Sequence, residues 1–289
     1  MPPEPRHAAT AAATSVGIII RRSPRMLGIE PFYAEFIAGM DDRLAPHNGS
    51  VLLQVVPTLE RELESYERWA SSGQVSAVVL GDLVENDVRP NFLHDLGIPT
   101  LVLGEPELPP GISAIRVDNY AAMSEAVARL VGLGHTRIGR VSGPPGLFHT
   151  RQRTLAFESA TAAAGIVGST AVGDYTEEGG EVATRSLLSA PLPPTCIIYD
   201  NDTMAVAGLG VAYELGVVVP GALSILAWDD STLCRLAVPP LSAMNTDVHA
   251  LGELAAGAIL DLLAGAPAST IAAPAPRFVS RGSVAAPAA

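Results

Sequence analysis

Five residues stand after short β-branched runs, and their side chains can grip a polyhydroxylated ligand. Phe32 and Tyr33 come after VGIII (16–20), Asp82 after SAVVL (76–80), Asn201 after CIIYD (196–200) and Asp229 after ILAW. Carboxylates and carboxamides make paired hydrogen bonds to vicinal hydroxyls, and aromatic faces stack on the apolar faces of sugars. In an open α/β sheet, ligands bind beyond the carboxyl ends of the strands, which is where these residues fall. For each taken singly, a helix cap or a solvated loop is an equal account. Asp118, Asn119 and Asp202 directly precede or begin helices, and capping is the better reading for them. Arg153 is read as beginning a helix after GPPGLFHT, where a positive charge opposes the helix dipole. That unfavourable placement points to binding, with an ion pair across a cleft as the plainer alternative.

Other chemistries find no support. The turn after GIII reads RRSPRMLGIEPFY, without the GxGxxG or GxxxxGK[ST] of a phosphate-binding loop. No GxSxG elbow is present, and the six His residues lack the i, i+4 pairing of a helical zinc site. His135, in LGHTRIG, reads as a structural turn residue. Cys196 and Cys234 belong to no metal pattern and read as free thiols in a reducing compartment. The expectation is a binding protein rather than an enzyme, with no cofactor and no metal.

The elements that must position these residues alternate between strand and helix, the pattern of βαβ units and a parallel sheet. Strands are predicted at 16–20, 51–56, 76–80 and 100–104, then at 114–117, 137–143, 169–172, 196–200 and 223–229. Helices are predicted around 32–45, 59–71, 87–96, 119–133, 151–164, 178–189 and 202–215, with one long helix over 246–265 capped by Thr246 or Asp247. PRFVSRGS (276–283) reads as a final edge strand. Continuous apolar strands imply burial on both faces, as in a doubly wound sheet, and two series of them imply two lobes.

A chain of 289 residues that is 48% hydrophobic and 17% charged can bury a large core. Its net charge of −12, with Arg for every basic residue but His, is unfavourable for gripping nucleic acid on its own. The start, MPPEPRHAATAAATS, reads as a tail rather than a signal peptide, and no apolar run is long enough to span a bilayer. This favours a cytoplasmic location.

VDNYAAMSEAVARLVGLGHTRIGRVSGP (117–144) closely resembles the LacI/GalR signature, in which a VDN turn opens a helix ending in LGH, followed by a strand and GP. In the same order, RTLAF (153–157) is similar to that family's RLxGF. The run 193–230 is similar to PTAxxxxND…A…LG…P…SxxGxDD, PPLSAMNTDVHALGELA (239–255) to the PPLTT segment, and VSRGS (279–283) to the closing R-x-S. Two local departures stand out: Ala156 replaces the usual Gly, and Ala227-Trp228 stands where Gly and an aromatic are common, with Trp228 placed to narrow a pocket.

The resemblance implies an α/β fold of two Rossmann-like lobes with parallel sheets joined by a three-strand hinge, as in type I periplasmic binding proteins. It assigns 16–117 plus 246–265 to the N-terminal lobe and 118–245 plus 266–283 to the C-terminal lobe, with disordered tails at 1–15 and 284–289. Crossovers fall near Val117-Asp118, Asn245-Thr246 and after Gly265. Carried over residue by residue, effector contacts fall on Arg153 as a charged clamp, on Asn201 and Asp229 as hydroxyl partners and on Tyr175 as a stacking aromatic. Phe32, Tyr33, Asp82 and His149 follow in loops that align poorly. The implied function is the small-molecule sensor of a LacI-type transcription regulator, with a sugar or related metabolite as effector and a homodimer as the assembly. Operator DNA would be met through a helix-turn-helix headpiece that is not visible in this chain. The alternative is a solute-binding protein of a carbohydrate transporter.

Overall fold

Runs of Ile and Val with both faces covered fold as parallel strands, because each backbone group finds a ladder partner while the side chains leave water on either side. The computed structural model describes residues 14–22, 30–104 and 108–288. The first sheet holds β1 (Ser15–Arg21), β2 (Ser50–Val56), β3 (Ala77–Leu80), β4 (Thr100–Leu103), β5 (Ser113–Arg116) and β11 (Thr270–Ala272), in the order β11-β5-β4-β3-β1-β2. The second holds β6 (Arg137–Ser142), β7 (Val167–Val172), β8 (Cys196–Tyr199), β9 (Ser224–Trp228), β10 (Ser242–Asn245) and β12 (Arg277–Val279), in the order β12-β10-β9-β8-β6-β7. All the pairings are parallel except β10 with β12. Strand order reverses at β1, between β2 and β3, and again at β6, between β7 and β8. Each lobe therefore has a switch point where the loops beyond the strands diverge and leave a crevice.

Helices cover both faces of each sheet: α1 (Pro31–Leu44), α2 (Leu59–Ser72), α3 (Arg89–Asp95) and α9 (Val248–Leu263) in the first lobe. The second has α4 (Asn119–Gly132), α5 (Phe148–Ala164), α6 (Glu177–Leu188), α7 (Asp202–Glu214) and the short α8 (Thr232–Leu236). Side-chain caps start many of them: Asp118 accepts from Ala121 N, Thr176 from Gly179 N, Asn201 from Met204 N and Asp247 from Ala250 N. Asp247, one of the two predicted caps, holds the long helix α9. This helix lies against α1 at backbone distance: a Cβ on Gly39 would sit 2.0 Å from the carbonyl oxygen of His249, and one on Gly252 would sit 2.1 Å from that of Phe36.

Three crossovers join the lobes, between β5 and α4, between β10 and α9, and between β11 and β12. The third corrects the expected boundary, since Thr270–Ala272 was assigned with 266–283 to the second lobe but pairs with β5 in the first sheet. A three-residue strand at the sheet edge carries too little pattern to stand out from the Pro/Ala-rich stretch around it. The last residues need a second correction. Val284 packs against the second-lobe core, and Ala285 exchanges hydrogen bonds with the Ser224 hydroxyl, so this part of 284–289 is ordered structure rather than a tail. The tail expected over 1–15 lies outside the described residues up to position 13, and its last two residues are ordered instead, Ser15 opening β1 and the Thr14 carbonyl oxygen accepting from Ser50 N.

Candidate functional site

The crevices at the two switch points face each other across the hinge and enclose a cavity with about 1020 Å³ of empty space, mouth included. All eight predicted site residues line it: Phe32, Tyr33 and Asp82 from the first lobe, and His149, Arg153, Tyr175, Asn201 and Asp229 from the second. The walls differ in character. The first-lobe and hinge side is built mainly from Pro31, Phe32, Leu83, Leu103, Val117 and Leu251, with Asp82 and Glu30 the acidic members. The second-lobe side is almost wholly polar.

Arg153 is buried in the second turn of α5, not at its start as expected, because the helix begins at Phe148. The dipole argument therefore lapses, and other groups stabilise the charge. Nε donates to Asn119 Oδ1 at 2.9 Å, Nη1 donates to the Asp200 carbonyl oxygen at 2.8 Å, and Cζ lies 4.2 Å from the centroid of the Trp228 ring. Trp228 is fully buried behind this guanidinium and does not narrow the cavity.

Asn201 does two jobs at once. Its Oδ1 caps α7, and its Nδ2 donates to the Tyr175 carbonyl oxygen at 3.1 Å, so capping and lining the cleft are not alternatives for this residue. Tyr175 has a left-handed backbone, φ 70°, and its ring packs so closely on Gly143 that a Cβ there would lie 2.2 Å from Cζ. The Tyr175 hydroxyl is bound by His149 Nε2 at 2.8 Å and Thr150 Oγ1 at 3.1 Å. Burial, reinforced by the nearby Arg153 charge, pushes the His149 imidazole down to about 4, so it is neutral at pH 7.

Asp229 also adopts a left-handed backbone, φ 73°, which turns its carboxyl into the cleft, where Thr246 Oγ1 lies 3.3 Å from Oδ1. Burial, helped by Asp202 and Glu30, raises it to about 7 against the pull of Arg153 and Thr246. Asp82 goes the other way. Burial alone would raise it, but Arg22 at 3.0 Å, His149 and the Tyr33 hydroxyl together hold it below the usual carboxylate value. Arg22 also bonds Glu30 at 2.5 Å and lies 6.0 Å from the centroid of the Tyr33 ring, so Tyr33 and Asp82 sit in one charged knot on the first-lobe wall.

Sequence reasoning missed several residues lining the cavity. Asn119 and Asp202 were read only as caps, yet Asn119 begins α4 and holds Arg153, and Asp202 accepts from Ser231 N at 3.2 Å. Asp200 is fully buried against Arg140, which binds it through Nε at 2.8 Å and Nη2 at 2.5 Å. The triplet Asp-Asn-Asp after one strand end was the signal available for Asp200 and Asp202. Nothing comparable marked Glu30 or Phe148. Outside the site, His135 bonds Thr195 Oγ1 and the Ala285 carbonyl oxygen, in keeping with a structural role, and both cysteines are buried and free.

The lobes also touch at the lip of the cleft. Phe148 N donates to the Leu83 carbonyl oxygen at 2.7 Å, Val84 and Leu147 form an antiparallel bridge, and Arg151 pairs with Glu85. Among the described residues no cluster of His, Cys, Asp and Glu could hold a metal ion, and no helix is long and apolar enough to cross a membrane.

Residues 127–284 match the family described as periplasmic binding protein-like domain. The HTH-type transcriptional regulator CelR of Thermobifida fusca is 28% identical over 264 residues, covering 89% of this chain and 76% of its own. Among solved structures, a LacI family transcriptional regulator from Bifidobacterium animalis subsp. lactis is 32% identical with a TM-score of 0.85, covering 95% of this chain and 98% of its own. A transcriptional regulator CelR–cellobiose complex is 26% identical with a TM-score of 0.84, covering 93% and 84%.

Proposed function

Because this chain belongs to the periplasmic-binding-protein-like family, among the LacI-type transcription regulators, we propose that its cleft binds a sugar-like effector and that the bound lobe arrangement sets operator affinity. The regulator relatives favour this reading over the solute-binding protein of a transporter. The observation that carries it is the second-lobe wall, where Arg153, Asn201 and Asp229 offer charged and amide partners opposite the Phe32 side of the cavity. Hydroxyls of a sugar fit the polar second-lobe wall, and an apolar ring face or substituent fits the Phe32 side. Cellobiose is the first candidate to test, since it is the ligand in the CelR complex. The proposed work is binding in the cytoplasm, not catalysis, and the DNA contacts belong to a helix-turn-helix headpiece.

A ligand that binds one lobe arrangement better shifts the population toward it, and the hinge crossovers carry that shift to the rest of the regulator. Thermal-shift screening of mono- and disaccharides tests the reading directly, because a ligand at a hundredfold its Kd stabilises by about 2.7 kcal/mol. Arg153→Ala is expected to weaken binding by about 1–3 kcal/mol without unfolding the protein, the scale of an unpaired buried partner. Calorimetry showing wild-type affinity would remove Arg153 from the site.

The assembly proposed is a homodimer. Leu236 and Val238, 74% and 87% exposed, present apolar surface at α8 and the turn after it, the kind of patch that marks a protein interface. Leu236→Glu should shift sedimentation toward the monomer with at least a tenfold weaker dimer constant, and an unchanged profile would place the interface elsewhere.

A further inference from the structure

We infer that Trp228 is a positioning residue for effector binding, its indole face fixing the plane of the Arg153 guanidinium so that one edge of that group is presented to the cleft. The inference rests on the cleft being an effector site. Three constraints act on Arg153 from three elements: Asn119 at the start of α4 takes Nε, the Asp200 carbonyl oxygen after β8 takes Nη1, and the last residue of β9 covers one face. Two in-plane hydrogen bonds fix where the guanidinium sits, and the ring fixes its tilt. Among the described residues Nη2 has no hydrogen-bond partner, which leaves its donors for a ligand acceptor.

Trp228 is 1% exposed and does not line the cavity, so its effect on a ligand must pass through Arg153. The next residue, Asp229, turns its carboxyl into the same cleft by its left-handed backbone. One strand end thus sets both a donor and an acceptor, the pair that adjacent sugar hydroxyls require. Without the indole, the guanidinium is free to swing onto Asp229, and an ion pair between them would withdraw both from the ligand. A long flexible Arg also loses rotamer freedom when it first meets its partner, and stacking removes that loss beforehand.

The test has two arms. In the free protein, the side-chain Nε–H resonance of Arg153, identified by its loss in Arg153→Lys, is expected to be ring-current shifted and protected. It should persist with a reduced shift in Trp228→Phe and vanish into exchange in Trp228→Leu. In calorimetric titrations with cellobiose and a panel of other disaccharides and monosaccharides, Trp228→Phe should bind within about threefold of wild type and Trp228→Leu about tenfold more weakly. A Trp228→Leu protein that keeps both the resonance and the affinity overturns the inference. If wild type binds no sugar, the effector reading fails while the resonance of the free protein still decides the positioning role. Should Trp228→Leu not fold, an Arg153 resonance unmoved in Trp228→Phe overturns it equally.

Discussion

Replacing Arg140 with Met is expected to lower unfolding free energy by about 3–5 kcal/mol, the largest loss from any single side chain near the cleft. Arg140 and Asp200 are both fully buried, one in the middle of β6 and the other just after β8. Arg140 spends its remaining donors on Thr154 Oγ1 at 2.7 Å and the Thr150 carbonyl oxygen at 3.3 Å, while Asp200 Oδ2 also accepts from Gly143 N at 3.0 Å. Burial opposes ionisation of Asp200, but Arg140, Arg153 and the Gly143 amide outweigh it and hold the carboxyl below its usual range. Removing Arg140 leaves that charge in low dielectric with one amide and a more distant Arg153 to compensate, so the carboxyl must take up a proton or the β6 and β8 ends must open. Both outcomes disturb the cleft, because the Asp200 carbonyl oxygen holds Arg153 and the Gly143 turn packs under Tyr175. Urea unfolding of wild type, Arg140→Met, Asp200→Leu and the double variant checks this. The double variant should recover part of the loss, since it buries no charge, and a single-variant cost below about 1 kcal/mol would show that the pair does not carry the second-lobe wall.

The Arg140–Asp200 pair also marks where the sequence stops being legible. Strands such as SAVVL declare themselves because burial on both faces leaves only apolar side chains, and the helices between them are punctuated by caps and glycines. The strand-end rule then finds Asp82, Asn201 and Asp229, since a parallel sheet sends its loops to one edge. An Arg in the middle of a buried strand has no local pattern that names its partner, which lies 60 positions away in sequence. The same holds for β10, whose Ser-Ala-Met-Asn has no β-branched residue and becomes a strand only because β9 and β12 flank it. Ala285 looks like tail for a similar reason, its anchors Ser224 and His135 being far off in sequence. Local preference fixed the elements and the edge carrying the site, whereas the long-range polar pairs emerged only once the chain was folded.

The second large effect is a pH dependence centred on Asp229. Deep in the cleft, its carboxyl faces Asp202 and Glu30 as like charges, with Arg153 and the Thr246 hydroxyl as the groups favouring ionisation, and the balance raises it to about 7. In the unfolded chain an Asp titrates near 3.9, so between about pH 4 and pH 7 the folded state holds the extra proton. The sign follows: Asp229 contributes stability that is fully present below about pH 4 and is lost as pH rises toward 7. Over that window the loss is expected to be on the order of 2–4 kcal/mol, a shift of roughly three pH units discounted for partial contact with solvent. Asp82 and Asp200, held low, change stability in the opposite sense at lower pH, which hides the term in a single wild-type curve. Asp229→Asn isolates it. Its amide cannot ionise, so unfolding free energy measured from pH 4 to pH 9 should show wild type falling relative to the variant, with the difference flat above pH 8. Parallel curves for the two proteins would mean that Asp229 is solvated and ionised throughout. Effector binding adds a second reading of the same proton. A sugar hydroxyl donates more strongly to the carboxylate than to the protonated acid, so affinity should rise by up to about tenfold from pH 6 to pH 8 in wild type and stay level in Asp229→Asn.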